Sequence, residues 1–485
     1  MRKLFTVAAM ALLTISAQAQ TSRWSAAYWP GWEIQNGISN EMPPWSAIDW
    51  KAFTEIMYFS IVPTTSGDID TLQNGINTLT GRMLVDSAHA HNVKVILTIG
   101  GAGSEAAFMG ATSPANLSGF VSKVAGFVNR IGCDGVDIDW EALNDPDSTN
   151  FKNLLKDLRA ALPNAILTTV AFNPKVDASC LQYLNQVDVC SYDLAGAYPG
   201  WLTWYNSCVY MWGPAASNGN ESIAAADPEI AQYHNAGIPY SKLSMGDEFG
   251  GTIWQGGLVT DSAGITLPGT NGVTAANEGW SSAPPTVHYD VPLYWPDGTG
   301  IMQKYYTPSR AHWDNTAQAP YLSLDTTGNA NDFFISYEDT NSINAKFYYM
   351  KKLGLGGIAF WTLKMGYPDN GTYPALKVIA RDMQLLTGVQ SRIPPSLPKT
   401  PLLEQNYPNP FNPSTTLEFS IPNRSYVRLT IYNVLGQQVA VLADGYMPAG
   451  LHTAVWNADR FASGVYFSVL QADGTISSKK MELLK

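Results

Sequence analysis

Short apolar and β-branched runs recur along most of the chain, and stretches with helical spacing separate them. The runs are Trp24 to Tyr28, Ile56 to Val62, Val93 to Ile99, Gly135 to Glu141, Ile166 to Ala171, Val187 to Ser191, Leu243 to Gly246 and Gly357 to Trp361. Strands that alternate with helices pair in parallel and are buried on both faces, so this rhythm predicts an α/β fold, a (β/α)8 TIM barrel. The helices between them are legible too. Phe151, Leu154, Leu155, Leu158 and Leu162 keep one helical face after the capping cluster Asp147-Ser148-Thr149. Phe120, Val121, Val124, Phe127, Val128 and Ile131 do the same just before the fourth strand.

The rhythm breaks at two places. From about residue 255 to 332 the chain is rich in Gly, Thr, Tyr and Trp, and is far longer than an ordinary connection. This predicts a small β-rich module inserted between strands 7 and 8, placed to wall one side of a cleft at the carboxyl ends of the strands. Past Leu386 the composition changes again: four prolines between Gln390 and Pro401 mark a semi-rigid linker over 388–403. The barrel is thus expected over 20–387. From 404 to 485, Leu417-Phe419-Ile421, Val427-Leu429-Ile431, Val439-Val441 and Val465-Phe467-Val469 alternate with polar residues between Asn, Gly and Pro turns. A C-terminal immunoglobulin-like β-sandwich of about seven strands fits that length.

The fourth run carries the chemistry. In Asp134-Gly135-Val136-Asp137-Ile138-Asp139-Trp140-Glu141 the acids Asp137, Asp139 and Glu141 share one face of a strand, with Val136, Ile138 and Trp140 on the other. Like charges crowded into a low-dielectric place raise at least one pKa, and a carboxylic acid kept protonated near neutrality is what a general acid needs.

Bulk properties narrow the setting. Arg2 and Lys3, an apolar run from Leu4 to Ile15 and Ala17-Gln18-Ala19 form a secretory signal peptide over 1–19. The net charge of −11, or −13 once that segment leaves, argues against nucleic acid or anionic membrane as partner. An exported chain permits disulfides, yet one of 485 residues can build its own core, so Cys133, Cys180, Cys190 and Cys208 fit pairs or free thiols equally. The many Trp and Tyr suit stacking on sugars, although each ring could equally be core. Trp29, Trp32, Trp45, Trp201, Trp204 and Trp254 follow strand ends or lie in loops.

Asp134 to Glu141 resembles the DGxDxDxE signature of glycoside hydrolase family 18, in the form found in chitinases. Leu97-Thr98-Ile99-Gly100-Gly101 resembles the family's SxGG strand, Ser191-Tyr192-Asp193 the end of its MxYD strand, and Gly357-Ile358-Ala359-Phe360-Trp361 its last strand. Thr98 stands where the family usually has Ser, and Cys190 where it usually has Met. The resemblance implies a retaining, cofactor-free chitinase in which the substrate's own N-acetyl group attacks the anomeric carbon. It implies Glu141 as proton donor, Asp139 as partner of the acetamido N–H, and Asp137 as a buried group sharing a proton with Asp139. Tyr192 would donate to the acetamido carbonyl. Tyr28, Thr98, Gly100, Gly101, Asp193 and Trp361 would line the substrate site, Trp361 as its floor, and Asp134 would be a structural turn residue.

Other chemistry is weaker in this chain. A metal site is disfavoured, because no His lies at ligand spacing and no calcium-loop pattern occurs. Gly100-Gly101-Ala102-Gly103 lacks the Lys-Ser/Thr of a phosphate loop and reads as a tight barrel turn. No G-x-S-x-G elbow marks a serine hydrolase. The segments Asn406 to Pro413, Tyr432 to Gly436, Ser463 to Tyr466 and Lys479-Lys480-Met481 resemble the type A sorting domain of the type IX secretion system. That implies export to the medium or the outer surface of a Gram-negative bacterium, with the secretion machinery as a partner. Chitin or chitooligosaccharides are the other expected partners, and the chain is expected to be a monomer. The rival readings are an endo-β-N-acetylglucosaminidase acting on glycoprotein glycans and a non-catalytic, lectin-like chitin binder.

Overall fold

Each of the eight runs is a strand: β1 (Trp24–Pro30), β2 (Glu55–Pro63), β3 (Lys94–Gly101), β4 (Gly135–Trp140), β5 (Ile166–Ala171), β6 (Val187–Val189), β7 (Leu243–Glu248) and β8 (Gly357–Trp361). The computed structural model describes residues 23–33, 48–194, 201–202, 204–211, 224–255, 272–273, 286–288, 291–294, 298–324, 333–366, 374–387, 400–403, 405–406, 409–422, 425–447 and 450–484. The expected signal peptide and most of the expected linker lie outside them. The chain divides into two compact units, 1–388 and 389–485.

In the first unit the strands pair in parallel in sequence order, and β1 joins both β2 and β8, which closes the barrel. Alternation decides which side chains meet the helices. Ile56 and Tyr58 of β2, Val95, Leu97 and Ile99 of β3, and Val136, Ile138 and Trp140 of β4 join the core between strands and helices. Their neighbours Met57, Ile96 and Tyr28 face the barrel interior. The helix Leu117–Ile131 buries Phe120, Val121, Val124, Phe127, Val128 and Ile131 against that core. At about 1.5–3 kcal/mol each, these six side chains outweigh the modest helix propensity of so many β-branched residues. Gly132 ends the helix in the left-handed region that an L side chain resists, at φ 87°. The helix Ser148–Ala161 likewise buries Phe151, Leu154, Leu155 and Leu158.

Between β7 and β8 an antiparallel five-stranded sheet runs in the order 286–288, 251–255, 333–337, 319–324, 311–314. It takes in residues on both sides of the stretch that composition marked, because Gly251–Gln255 and Phe333–Tyr337 read as apolar strands indistinguishable from barrel ones. Both faces of this sheet are covered, one by Trp204, Tyr205, Trp254, Tyr321 and Phe334, the other by Ile301, Leu322 and Ile335. A buried lysine ties the module down. Lys346, on the helix Thr340–Leu353, lies 2.5 Å from Asp247 of β7 and 2.7 Å from Glu338 just past the last module strand.

The second unit is a β-sandwich of a three-stranded sheet and a four-stranded sheet. Leu417, Phe419, Ile421, Val427, Leu429, Ile431 and Trp456 fill its core. In the strand Gly464–Ala472 the buried face is Tyr466, Ser468, Leu470 and Ala472, while Phe467 is 38% exposed. Antiparallel register explains this: Ser468 and Leu470 stand opposite the core residues Ile431 and Leu429.

Candidate active site

The acid run lies on β4, and its register against β3 and β5 sets what each acid meets. Asp137 stands beside Thr98 on one side and Thr168 on the other. Its carboxylate accepts hydrogen bonds from Thr168 Oγ1 at 2.6 Å, Thr98 Oγ1 at 3.2 Å and the Tyr28 hydroxyl at 3.3 Å. Burial pushes this acid up to about 6, with the three hydroxyls pulling the other way. Asp139, one pleat higher, is buried as well, and its Oδ1 receives no hydrogen bond among the described residues. Burial, then the charges of Glu141 and Asp137, hold it well above the usual carboxylate range, and a side-chain hydrogen bond with Glu141 acts in the same direction. Glu141 is the one acid of the file that reaches solvent. Burial raises it too, offset in part by the hydrogen bond from Asp139.

Three hydroxyls hold Asp137, and the charges of both Glu141 and Asp137 act on Asp139. Asp134, the first acid of the run, is outside the file: it accepts from Val95 N at 2.8 Å and lies 2.8 Å from His89 Nε2, tying the turn to the foot of β3.

Around the file, Trp361 at the end of β8 packs edge-on against Phe59 at 5.0 Å and lies 5.5 Å from Tyr28. Tyr192, half-buried just past β6, holds its hydroxyl 3.7 Å from Cys190 Sγ. Burial first, then neighbouring acidic groups, keep that phenol well above its ordinary value, so it remains a donor. Asp193 is exposed, with a φ of 55°.

The residues from 25 to 366 match the family model described as glycosyl hydrolases family 18, and 405–483 match that of the secretion system C-terminal sorting domain. The chain belongs to glycosyl hydrolases family 18. It is a glycoside hydrolase built on a TIM barrel, and it carries a secretion sorting domain. Among relatives, it is 24% identical over 397 residues to a chitinase-like effector of Moniliophthora perniciosa, covering 72% of this chain and 85% of that protein. It is 28% identical over 333 residues to chitinase A1 of Niallia circulans, covering 60% of this chain and 44% of that one. The solved Group IV chitinase of Ostrinia furnacalis superposes with a TM-score of 0.58 at 20% identity, over 74% of this chain and 99% of that one.

In this family 18 barrel some residues near the acids went unnoticed in the sequence. Ser104 grips the end of β4: it donates to the Asp139 carbonyl at 3.1 Å and accepts from Glu141 N at 3.1 Å. Thr168 could have been found by placing the strands in register. Of the tryptophans near strand ends, Trp32 joins the aromatic wall, 43% exposed and 5.7 Å from Phe59. Trp29, Trp204 and Trp254 are core, while Trp45 and the Trp201 side chain lie outside the described residues. Gly100 and Gly101 are buried, with φ of 107° and 117°. A Cβ on Gly100 would meet the Asp139 carbonyl at 2.1 Å, so this glycine lets β3 and β4 approach. All four cysteines are free thiols.

Proposed function

We propose that this glycoside hydrolase is an exported chitinase that cleaves β-1,4 bonds between N-acetylglucosamine units with retention. The observation that carries the reading is the unequal file: Asp137 buried among hydroxyls, Asp139 buried and held above the usual carboxylate range, Glu141 at the solvent edge. A glycosidase whose protein supplies both acid and nucleophile sets two carboxyl groups on opposite sides of the bond. Here the acids stand in one column on one strand, which suits attack by the substrate's own acetamido oxygen, the route family 18 uses.

Glu141 takes the role of proton donor to the leaving oxygen and then activates water. Asp139, once its side chain turns to the acetamido N–H, orients that group and stabilises the positive charge that develops on it. Asp137, held ionised by three hydroxyls, supplies the negative potential beneath. Tyr192 donates to the acetamido carbonyl, and Trp361 with Phe59 forms the apolar floor. Asp193 completes the sugar site from the end of β6. The chitinases among the relatives support chitin as the substrate class, and the sorting domain supports release to the medium or outer surface of a Gram-negative cell through the type IX machinery.

The test is cleavage of chitotetraose by the purified chain beside a high-mannose glycopeptide. Short chitooligosaccharides should appear with wild type and fall by several orders of magnitude with Glu141→Gln, while binding persists. Equal turnover by the variant, or release from the glycopeptide alone, would sink the reading.

A further inference from the structure

Glu141 sits one residue beyond the paired part of β4. The ladder with β5 stops at Ile138 opposite Thr169, and the ladder with β3 stops at Trp140 opposite Gly101. A side chain that must meet one atom of a substrate needs a fixed main chain beneath it, and strand pairing does not supply one here. The loop after β3 does. Ser104 Oγ accepts from Glu141 N at 3.1 Å and donates to the Asp139 carbonyl at 3.1 Å. The next amide, Glu105 N, donates to the Glu141 carbonyl at 3.0 Å. Two consecutive residues of one loop thus hold both main-chain polar groups of Glu141.

The direction of the hydroxyl matters because Ser104 is also the N-cap of the helix Glu105–Ala111. A serine in that position ordinarily turns its oxygen back to accept from its own helix, which contributes about 0.5–2 kcal/mol. Ser104 makes no such bond. Its side chain is buried, and its hydroxyl is directed to the end of the acid strand instead. One turn further on, Phe108 stacks on Trp140 with ring centroids 4.5 Å apart and planes 7° apart, and the Glu105 carboxylate accepts from Asn144 Nδ2 at 2.9 Å. The short helix is therefore fastened to the acid strand before, at and after Glu141.

We propose that Ser104 is a positioning residue for the proton donor: its hydroxyl, with the Glu105 amide, fixes the main chain of Glu141 and so sets where the proton is delivered. Ser104 acts only through the placing of that acid, and the proposal rests on Glu141 being the donor. A displacement of about 1 Å in a reacting group is enough to cost about 100-fold in rate, so removing the hydroxyl should be felt in kcat rather than KM.

The experiment compares the full chain with Ser104→Ala, Ser104→Gly and Glu141→Gln on two substrates. One is chitotetraose, whose sugar leaving group needs a proton, and the other is 2,4-dinitrophenyl chitobioside, whose phenolate leaves without one. Ser104→Ala should lower kcat/KM on chitotetraose by about 10- to 100-fold, with KM within about twofold, yet lower it on the aryl glycoside by no more than about threefold. Because kcat/KM covers only the steps up to departure of the leaving group, the later activation of water does not mask this split. Ser104→Gly, which an N-cap position accepts at little cost, should show the same split. Unchanged rates, or a loss as large on the aryl glycoside as on chitotetraose, overturn the proposal, since a merely structural hydroxyl would slow both substrates alike. If Ser104→Ala does not fold, Ser104→Gly decides by the same ratio. Glu141→Gln should show the split in larger form; an equal loss on both substrates in that variant would instead overturn the assignment of the proton donor.

Discussion

Thr168→Val removes the shortest of the three hydroxyl bonds to Asp137, 2.6 Å long, and keeps the β-branched shape that β5 packs. A hydrogen bond to a charged group contributes about 1.5–3 kcal/mol, equivalent to about one to two pH units in the ionisation of Asp137. Burial already places that carboxyl at about 6, above an unfolded aspartate. Its contribution to stability is therefore full below the unfolded value near pH 4 and lost as pH rises through about 6. The substitution moves the carboxyl higher still, so the variant pays little at pH 4 and the whole difference by pH 8. For a barrel of this size that is a Tm lower by about 2–4 °C at pH 8 and by less than about 1 °C at pH 4. In the same variant the acid limb of kcat/KM should rise by about one to two pH units, because Asp137 must be ionised beneath the file. Differential scanning calorimetry at both pH values and an initial-rate profile on chitotetraose check the two halves. An equal Tm loss at pH 4 and pH 8, with an unmoved acid limb, would refute the claim that Thr168 serves the ionised form.

Gly100→Ala should destabilise the barrel by about 2 kcal/mol or more and cut kcat, since the new Cβ meets the Asp139 carbonyl at 2.1 Å and its φ is 107°; urea denaturation with initial rates measures both. Lys346→Met leaves Asp247 and Glu338 buried without their cation and should cost about 3–5 kcal/mol in alkaline solution. Burial already pushes Glu338 up to about 8. Without Lys346 both acids rise further, so the loss grows as pH increases and shrinks at pH 5, which denaturation at pH 5 and pH 9 would show. Trp361→Ala, which opens the floor against Tyr28 and Phe59, should raise KM for chitotetraose with a smaller fall in kcat, read from steady-state kinetics.

Most of the fold was legible because barrel strands are short, apolar and evenly spaced, and the helices between them keep one buried face. The acid file was legible for a similar reason: a period of two in the sequence is a single face in a strand. What adjoins the file was harder to see. Thr168 and Ser104 act through register and a loop, and neither leaves a mark on local pattern. The hydroxyls that hold Asp137 come from three separate strands, β1, β3 and β5, and so leave no local pattern. The glycines after Thr98 read as ligand contacts, yet a carbonyl 2.1 Å from the position of a Cβ shows what excludes a side chain at Gly100. In the sandwich, apolar residues occupy both faces of Gly464–Ala472, so alternation could not say which side was core.

The central claim is that Glu141 protonates while the substrate attacks itself, and one measurement bears on it most directly. Aryl chitobiosides whose reacting N-acetyl group carries none, one, two or three fluorines differ little in size but steadily in the nucleophilicity of the carbonyl oxygen. If that oxygen attacks the anomeric carbon, log kcat/KM should fall steeply and linearly along the series, and Glu141→Gln should lower every member. A rate indifferent to fluorination would mean that a protein group or water attacks, and would contradict the account.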